Sequence, residues 1–330
     1  MRVRILPTVA VLASVLFAAV TAGAQANSAK PYTPPRTPDG QPDLQGIWNN
    51  ATITPLERPA ELAGKEFFTA EEAAAYQRQT LEQSNADRRD GGAAADVGRA
   101  YNEFWRDRGP VVATRRTSLI IDPPNGRIPP LTPEAEKRNA VAAEYRGLHP
   151  ADGPEDRPLA ERCLLWAAAG PPMLPVGYNS NYQIVQAPGY VVINVEMIHD
   201  ARIIPLDGRP HLPSGVRLWL GDSRGRWEGN TLVVETTNFS NKTSFRGASE
   251  KMRLVERFTR VAEKMLLYEF TVEDESSFTR PWTAQIPMMK TEEPVFEYAC
   301  HEGNYGLANV LAGTRTEEKA AATAVKSKQD

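Results

Sequence analysis

Cysteine is nearly absent: the 330 residues contain two, Cys163 and Cys300. Neither belongs to a C-x-x-C pair, which excludes a thiol redox motif and a zinc ribbon. Histidine is as scarce, with four in the chain. No two stand at H-x-H or i, i+4 spacing, so no local histidine metal motif exists and no metal is expected. A cationic cluster is also missing, with 38 Lys and Arg dispersed among 41 Asp and Glu. Nucleic acid and anionic membrane are thereby excluded as partners, leaving a small-molecule ligand or substrate, or another protein.

A long apolar run occurs only at the start. Met1-Arg2-Val3-Arg4 gives a positive n-region, Ile5 to Val20 is almost wholly apolar, and Thr21-Ala22-Gly23-Ala24 supplies small residues in an A-x-A pattern. This reads as a cleavable secretion signal over 1–24, with the working chain starting near Gln25 and no membrane span after cleavage. The competing reading is an uncleaved anchor. With no cysteine closing the apolar stretch, a lipoprotein is excluded. Export predicts a periplasmic or secreted protein in which Cys163 and Cys300 form one disulfide, the alternative being two separate buried thiols. It also argues against ATP- or NAD-dependent chemistry, and no cofactor is expected.

Proline is plentiful where periodicity is poor. Residues 25–68 read as a Pro-rich extended segment, interrupted by a first strand near Trp48 in Asp43-Leu44-Gln45-Gly46-Ile47-Trp48. Residues 69–175 read as a helical and irregular region. Thr69-Ala70-Glu71-Glu72 is a capping box for a helix to about Asn85, ended by Gly91-Gly92. Thr132 with Pro133 starts a second helix to about Tyr145, and a third is predicted over Pro158 to Ala169. Between them, Arg116 to Ile121 reads as a strand before a turn at Asp122-Pro123-Pro124-Asn125-Gly126.

Over 176–316 the pattern becomes short alternating runs broken by turns, the signature of an antiparallel meander, sandwich or barrel. Nine runs are predicted as strands: Tyr182–Gln186, Tyr190–Met197, Arg202–Leu206, Val216–Leu220, Thr231–Phe239, Met252–Val261, Met265–Asp274, Phe278–Ile286 and Val295–Cys300. The expected fold class is mainly β, a meander closing into a barrel. Residues 317–330 are expected to form a disordered tail.

Four constellations bear on chemistry. Gly221-Asp222-Ser223-Arg224-Gly225 satisfies G-x-S-x-G, but a turn and a strand come after it, whereas a nucleophile elbow requires a helix. It reads as a polar loop between strands. Glu196-Met197-Ile198-His199-Asp200-Ala201-Arg202 places acid, imidazole, acid and guanidinium at the end of the apolar run Tyr190–Ile193. His199 oriented by Glu196 or Asp200 is a competent general acid or base, and Arg202 could hold an anionic group; the structural alternative is a salt-bridged strand end. Cys300-His301-Glu302 sets a second proton-transfer pair on a stiff anchor. Finally, a two-residue turn at Ala262-Glu263 would put Glu256 opposite Glu269 and Phe258 opposite Leu267, a carboxylate pair in which one acid titrates high. A one-residue slip would undo that pairing. Among the many aromatics of this half, Tyr182 and Trp227 are the candidates for stacking on a ring-shaped ligand.

The runs HDARIIPLDGRPH (199–211), WLGDSRGRWEGNTLVVETTNF (219–239) and YACHEGNYGLANVLAG (298–313) resemble a family of exported bacterial proteins without an assigned activity, the resemblance running from about Pro42 to Arg315. The G-x-W of Gly46 and Trp48 is similar to the first strand of lipocalin-like barrels, a likeness of fold that carries no mechanism. The expected function is therefore an exported, cofactor-independent lyase, isomerase or hydrolase acting on a small ring-containing molecule by general acid/base catalysis. The alternatives are a non-catalytic lipocalin-like binder of a small hydrophobic ligand and an envelope interaction protein.

Overall fold

In the computed structural model the described residues are 32–99, 102–166, 169–243 and 245–326. The secretion signal therefore lies outside them. Strands β1 (Gly46–Asn49), β2 (Ile120–Asp122), β3 (Asn181–Ala187), β4 (Tyr190–Val195), β5 (Ala201–Pro205), β6 (Asp222–Glu228), β7 (Thr231–Thr237), β8 (Arg253–Ala262), β9 (Met265–Glu273) and β10 (Trp282–Thr291) form one antiparallel sheet. Its order is β5-β4-β3-β1-β10-β9-β8-β7-β6, with β2 paired to β10. The period-2 alternation of the sequence is what makes this work. Leu254, Glu256 and Phe258 of β8, Leu266, Tyr268 and Phe270 of β9, and Trp282, Ala284 and Ile286 of β10 all face inward and are fully buried. Each large apolar side chain so removed from water contributes about 1.5–3 kcal/mol before entropy is counted.

The G-x-W segment joins the two halves of the meander. β1 pairs with β3 on one side and β10 on the other. Trp48 is fully buried, its indole Nε1 donates to Leu44 O at 2.8 Å, and the Arg260 guanidinium lies 5.7 Å from its ring centroid.

The sheet curls but does not close into a barrel. Edge strands β5 and β6 meet through side chains, with no ladder between them among the described residues. Gly225 permits the approach, since a Cβ there would lie 2.6 Å from Leu206 Cδ2 and 2.8 Å from Ile204 Cγ2. Branched side chains fill the seam and Pro205 offers no N–H, so backbone pairing stops at the edge.

Other elements depart from the sequence reading. Gly221–Gly225 contributes most of strand β6 where a loop is expected. Val216–Leu220 supplies one isolated bridge, Leu218 to Phe239, and Val295–Cys300 forms no ladder at all. The helix expected at Pro158–Ala169 is a series of turns over its described residues, with Cys163 in the left-handed region at φ 54°. Its disulfide pulls the chain out of helical geometry, and so short a segment has little nucleation free energy to resist. Conversely, residues expected to be a disordered tail belong to a helix, α4 (Tyr305–Lys326). Helix α1 (Ala70–Ser84) begins at the capping box, Thr69 Oγ1 accepting from Glu72 N at 3.2 Å and Glu72 Oε2 from Thr69 N at 2.9 Å. Helices α2 (Gly92–Arg99) and α3 (Pro133–Leu148) come next in the chain, α3 capped by Thr132 with Pro133 in its first turn.

Candidate functional site

Most of the residues singled out by sequence fall into three places. The first is the interior of the curled sheet. Arg202 of β5 and Glu256 of β8 are both buried and form a bidentate pair, Nη1 to Oε1 at 3.0 Å and Nη2 to Oε2 at 2.5 Å. Tyr268 donates its hydroxyl to Glu256 Oε1 at 2.8 Å and accepts from Met173 N at 3.0 Å. Burial, then the neighbouring Glu256 carboxylate, drive the Tyr268 phenol well above its usual range. Burial opposes the Arg202 charge, yet Glu256 raises its pKa above the ordinary arginine value. Arg202 Nη2 also reaches Ser223 Oγ at 3.4 Å, and Ser223 shares a hydrogen bond with Thr236 at 2.9 Å. Tyr182 is buried in the same space, its hydroxyl accepting from Asn50 Nδ2 at 3.4 Å. This is a filled core held by a charge pair, so Arg202 is spent on Glu256 and has no open face for an anionic ligand.

The register explains why Glu256 does not meet Glu269. Glu256 pairs with Phe270 and Arg257 with Glu269, and an irregularity between Arg260 and Ala262 absorbs the slipped residue at the turn. Phe258 consequently lies opposite Tyr268 and not Leu267. Glu269 is on the outer face, accepting from Gln285 Nε2 at 3.1 Å. The two acids are thus on opposite faces, one neutralised inside and one solvated outside. Trp227 is half-buried on β6 and packs against the core from the seam side.

The second place is the β4–β5 hairpin loop. Asn194 pairs with Ala201, so Glu196 to Asp200 form the connection and not a strand end. Ile198 at φ 62° and His199 at φ 51° are successive left-handed residues, and for a buried β-branched isoleucine that conformation is strained. The strain turns both titratable side chains toward the extended segment 295–300. Buried Glu196 accepts from Phe296 N at 3.1 Å and from Asn181 Nδ2 at 2.9 Å. Exposed His199 meets the Tyr298 carbonyl at 3.0 Å through Nδ1, which must be the donor there, leaving Nε2 directed away. Asp200 is half-buried, and desolvation raises its carboxyl pKa against the lowering effect of nearby His199.

The third place is on the other side of that segment. Cys163 and Cys300 form the expected disulfide, with Cα atoms 5.6 Å apart at a sequence separation of 137. Beside it opens a pocket of about 460 Å³, a volume suited to a small ligand. Trp105, Tyr178 and Tyr298 form its aromatic walls, and Arg106, Glu161, Glu297 and Glu302 its charged ones. Tyr178 stacks on Tyr298 at a centroid distance of 6.5 Å and meets Trp166 edge-on at 6.1 Å, while Arg106 lies 5.8 Å over the Tyr178 ring. Asn304 fastens the floor, its Nδ2 donating to Glu161 O at 2.9 Å and lying 3.3 Å from Cys163 Sγ. Chain comparison adds no relative. Family models, curated proteins and solved structures all fail to match this chain.

Glu302 of the sequence candidates lines the pocket; His199 and His301 do not. Trp105, Arg106 and Tyr178 carry no motif, and only the density of aromatics and the paired cysteines hint at them. The fourth histidine makes a different contact: His211 Nδ1 lies 2.8 Å from Asp222 Oδ2, with Glu235 3.6 Å from its other nitrogen. Ser223, next in the G-x-S-x-G run, points inward to Thr236, so the strand's alternation separates it from this histidine. No group of three or more His, Cys, Asp or Glu suited to a metal ion occurs among the described residues.

Proposed function

We propose that this chain is a non-catalytic binding protein for a small ring-containing molecule, taken up in the pocket beside Cys163–Cys300. The observation that carries the reading is the combination of a ligand-sized cavity, three aromatic walls and a covalent cross-link at its floor. Aromatic faces bind rings through dispersion and CH or cation contacts at low entropic cost, and a cross-linked floor keeps them in place before the ligand arrives. The disulfide fits an oxidising compartment outside the cytoplasm, as the N-terminal sequence suggests. No described helix is long and apolar enough to cross a membrane.

One observation favours a catalytic second reading. His199 has its Nδ1 proton fixed by the Tyr298 carbonyl and a free Nε2, with Asp200 beside it held high by desolvation. That pair would act on a substrate lying outside segment 295–300, away from the aromatic pocket.

Fluorescence titration and calorimetry with a panel of monosaccharides, aromatic alcohols and aromatic amines separate the two. Binding to wild type is expected to weaken about tenfold or more in Tyr178→Ala and in Trp105→Ala, and to persist in His199→Ala. Equal affinity in the pocket variants overturns the binder. Turnover of a bound compound that disappears in His199→Ala replaces it with the acid/base enzyme.

A further inference from the structure

A second, larger cleft lies away from the disulfide, between one face of α3, the segment 150–162 and described residues of 241–251, with a volume of about 1370 Å³. It carries six basic side chains against four acidic ones, in a chain whose formal charge is −3. Pairing takes two lining cations and two lining acids out of that set. Arg157 is bound to Glu161, Arg162 to Glu155, and Glu250 lies 3.5 Å from Arg217, so these charges are matched. Arg138 instead donates to neutral oxygens, Gly247 O at 2.8 Å and Ser277 Oγ at 2.9 Å. Arg146, Lys242 and Lys251 are exposed and have no side-chain partner among the described residues. Four cations therefore remain against two lining acids, Glu134 and Asp156, the latter accepting from the Tyr145 hydroxyl at 3.3 Å, so the cleft keeps its positive excess.

We infer that this cleft is a binding site for an acidic oligosaccharide. Its volume exceeds that of a single small ligand and suits several linked units. Arg146, Lys242 and Lys251 can meet carboxylates spaced along a chain, while Asn139 and Asn241 offer amides to sugar hydroxyls. Tyr145, half-exposed on the α3 face and stacked on His149 at 4.5 Å, presents a fixed ring to the CH face of a pyranose. An acidic peptide is less well served, because β5 and β6 are the free edges of the sheet and neither lines the cleft, leaving no strand to extend. This site is independent of the aromatic pocket and does not rest on its function.

The test is calorimetric titration of the full chain with oligogalacturonate, with the methyl-esterified oligomer of the same length, and with polyglutamate. Oligogalacturonate is expected to bind, its affinity falling with added salt, and the esterified oligomer to bind at least about tenfold more weakly. The triple variant Arg146→Glu, Lys242→Glu, Lys251→Glu should lose the interaction while keeping its thermal midpoint, since all three side chains are exposed. Equal binding of acidic and esterified oligomers, unchanged binding in the triple variant, tighter binding of polyglutamate, or no binding of oligogalacturonate at millimolar concentration each overturns the inference.

Discussion

The interior of the curled sheet and the pocket beside the disulfide use similar residue types to opposite ends. Inside, arginine, glutamate and tyrosine are locked together in a space sealed by Phe258, Phe270 and Trp282. At the pocket, Arg106, Glu302, Tyr178 and Tyr298 border open volume. The difference is one of access. The interior charges are paired with each other, and although Arg202 Nε and Asn50 Oδ1 have no hydrogen-bond partner, both residues are buried where no ligand reaches them. The pocket's groups are partly wet and can exchange water for a guest at lower cost. A titratable cluster is therefore a functional candidate only where open volume lets a ligand reach it.

The largest expected effect breaks the interior alone. Arg202→Ala leaves Glu256 charged and buried without its counter-ion, and should cost about 3–5 kcal/mol in urea unfolding. Arg202→Met combined with Glu256→Leu removes both charges and should recover most of that loss. The folded fraction of either variant should bind pocket ligands as wild type does. A change in ligand affinity at full folding would mean that the two regions are coupled.

A smaller effect, aimed at the other region, comes from Cys163→Ser with Cys300→Ser. Opening the 137-residue loop should lower stability by about 2–4 kcal/mol. The pocket should suffer more than the core: segment 295–300 makes no ladder with the sheet, so without its cross-link it is held by hydrogen bonds to Glu196 and His199 and by the packing of Tyr298 on Tyr178 and the core. Hydrogen exchange should show early opening at 296–304 with β8 to β10 still protected. Uniform loss of protection would place the bridge in the global fold.

The same contrast governs what can be read from sequence. Strands β7 to β9 and the caps at Thr69 and Thr132 announce themselves locally, through period-2 alternation and through side chains that hydrogen-bond within a turn. The register of β8 on β9 does not, because one extra residue near Val261 shifts every pair, and nothing in Arg260-Val261-Ala262-Glu263 marks it. Failure to close at β5 and β6 is equally hidden, resting on side chains about twenty residues apart in the chain meeting at Gly225. Tyr178 and Tyr298 sit on irregular segments and Trp105 ends a short 3-10 helix, and only tertiary contacts bring the three together. Both cysteines are legible as a pair, and their bridge marks where those segments converge.

The least disruptive change falls on the seam between the two regions. Glu196 is buried in the β4–β5 loop but receives one hydrogen bond from Asn181 of the sheet and one from Phe296 of the pocket-forming segment. Glu196→Gln keeps the volume and can keep one acceptor, while its new amide faces a donor. One of the two bonds must fail, at a cost of about 1–2 kcal/mol. Which one fails decides the outcome. If Asn181 holds the remaining acceptor, Phe296 is released, Tyr298 shifts and pocket affinity falls with little change in β3. If Phe296 holds it, pocket affinity stays and Asn181 loses a partner in the sheet. Ligand titration beside the amide exchange of Phe296 reads the two cases, and faster exchange with unchanged affinity would show that the pocket is braced by its disulfide and does not need the strained loop.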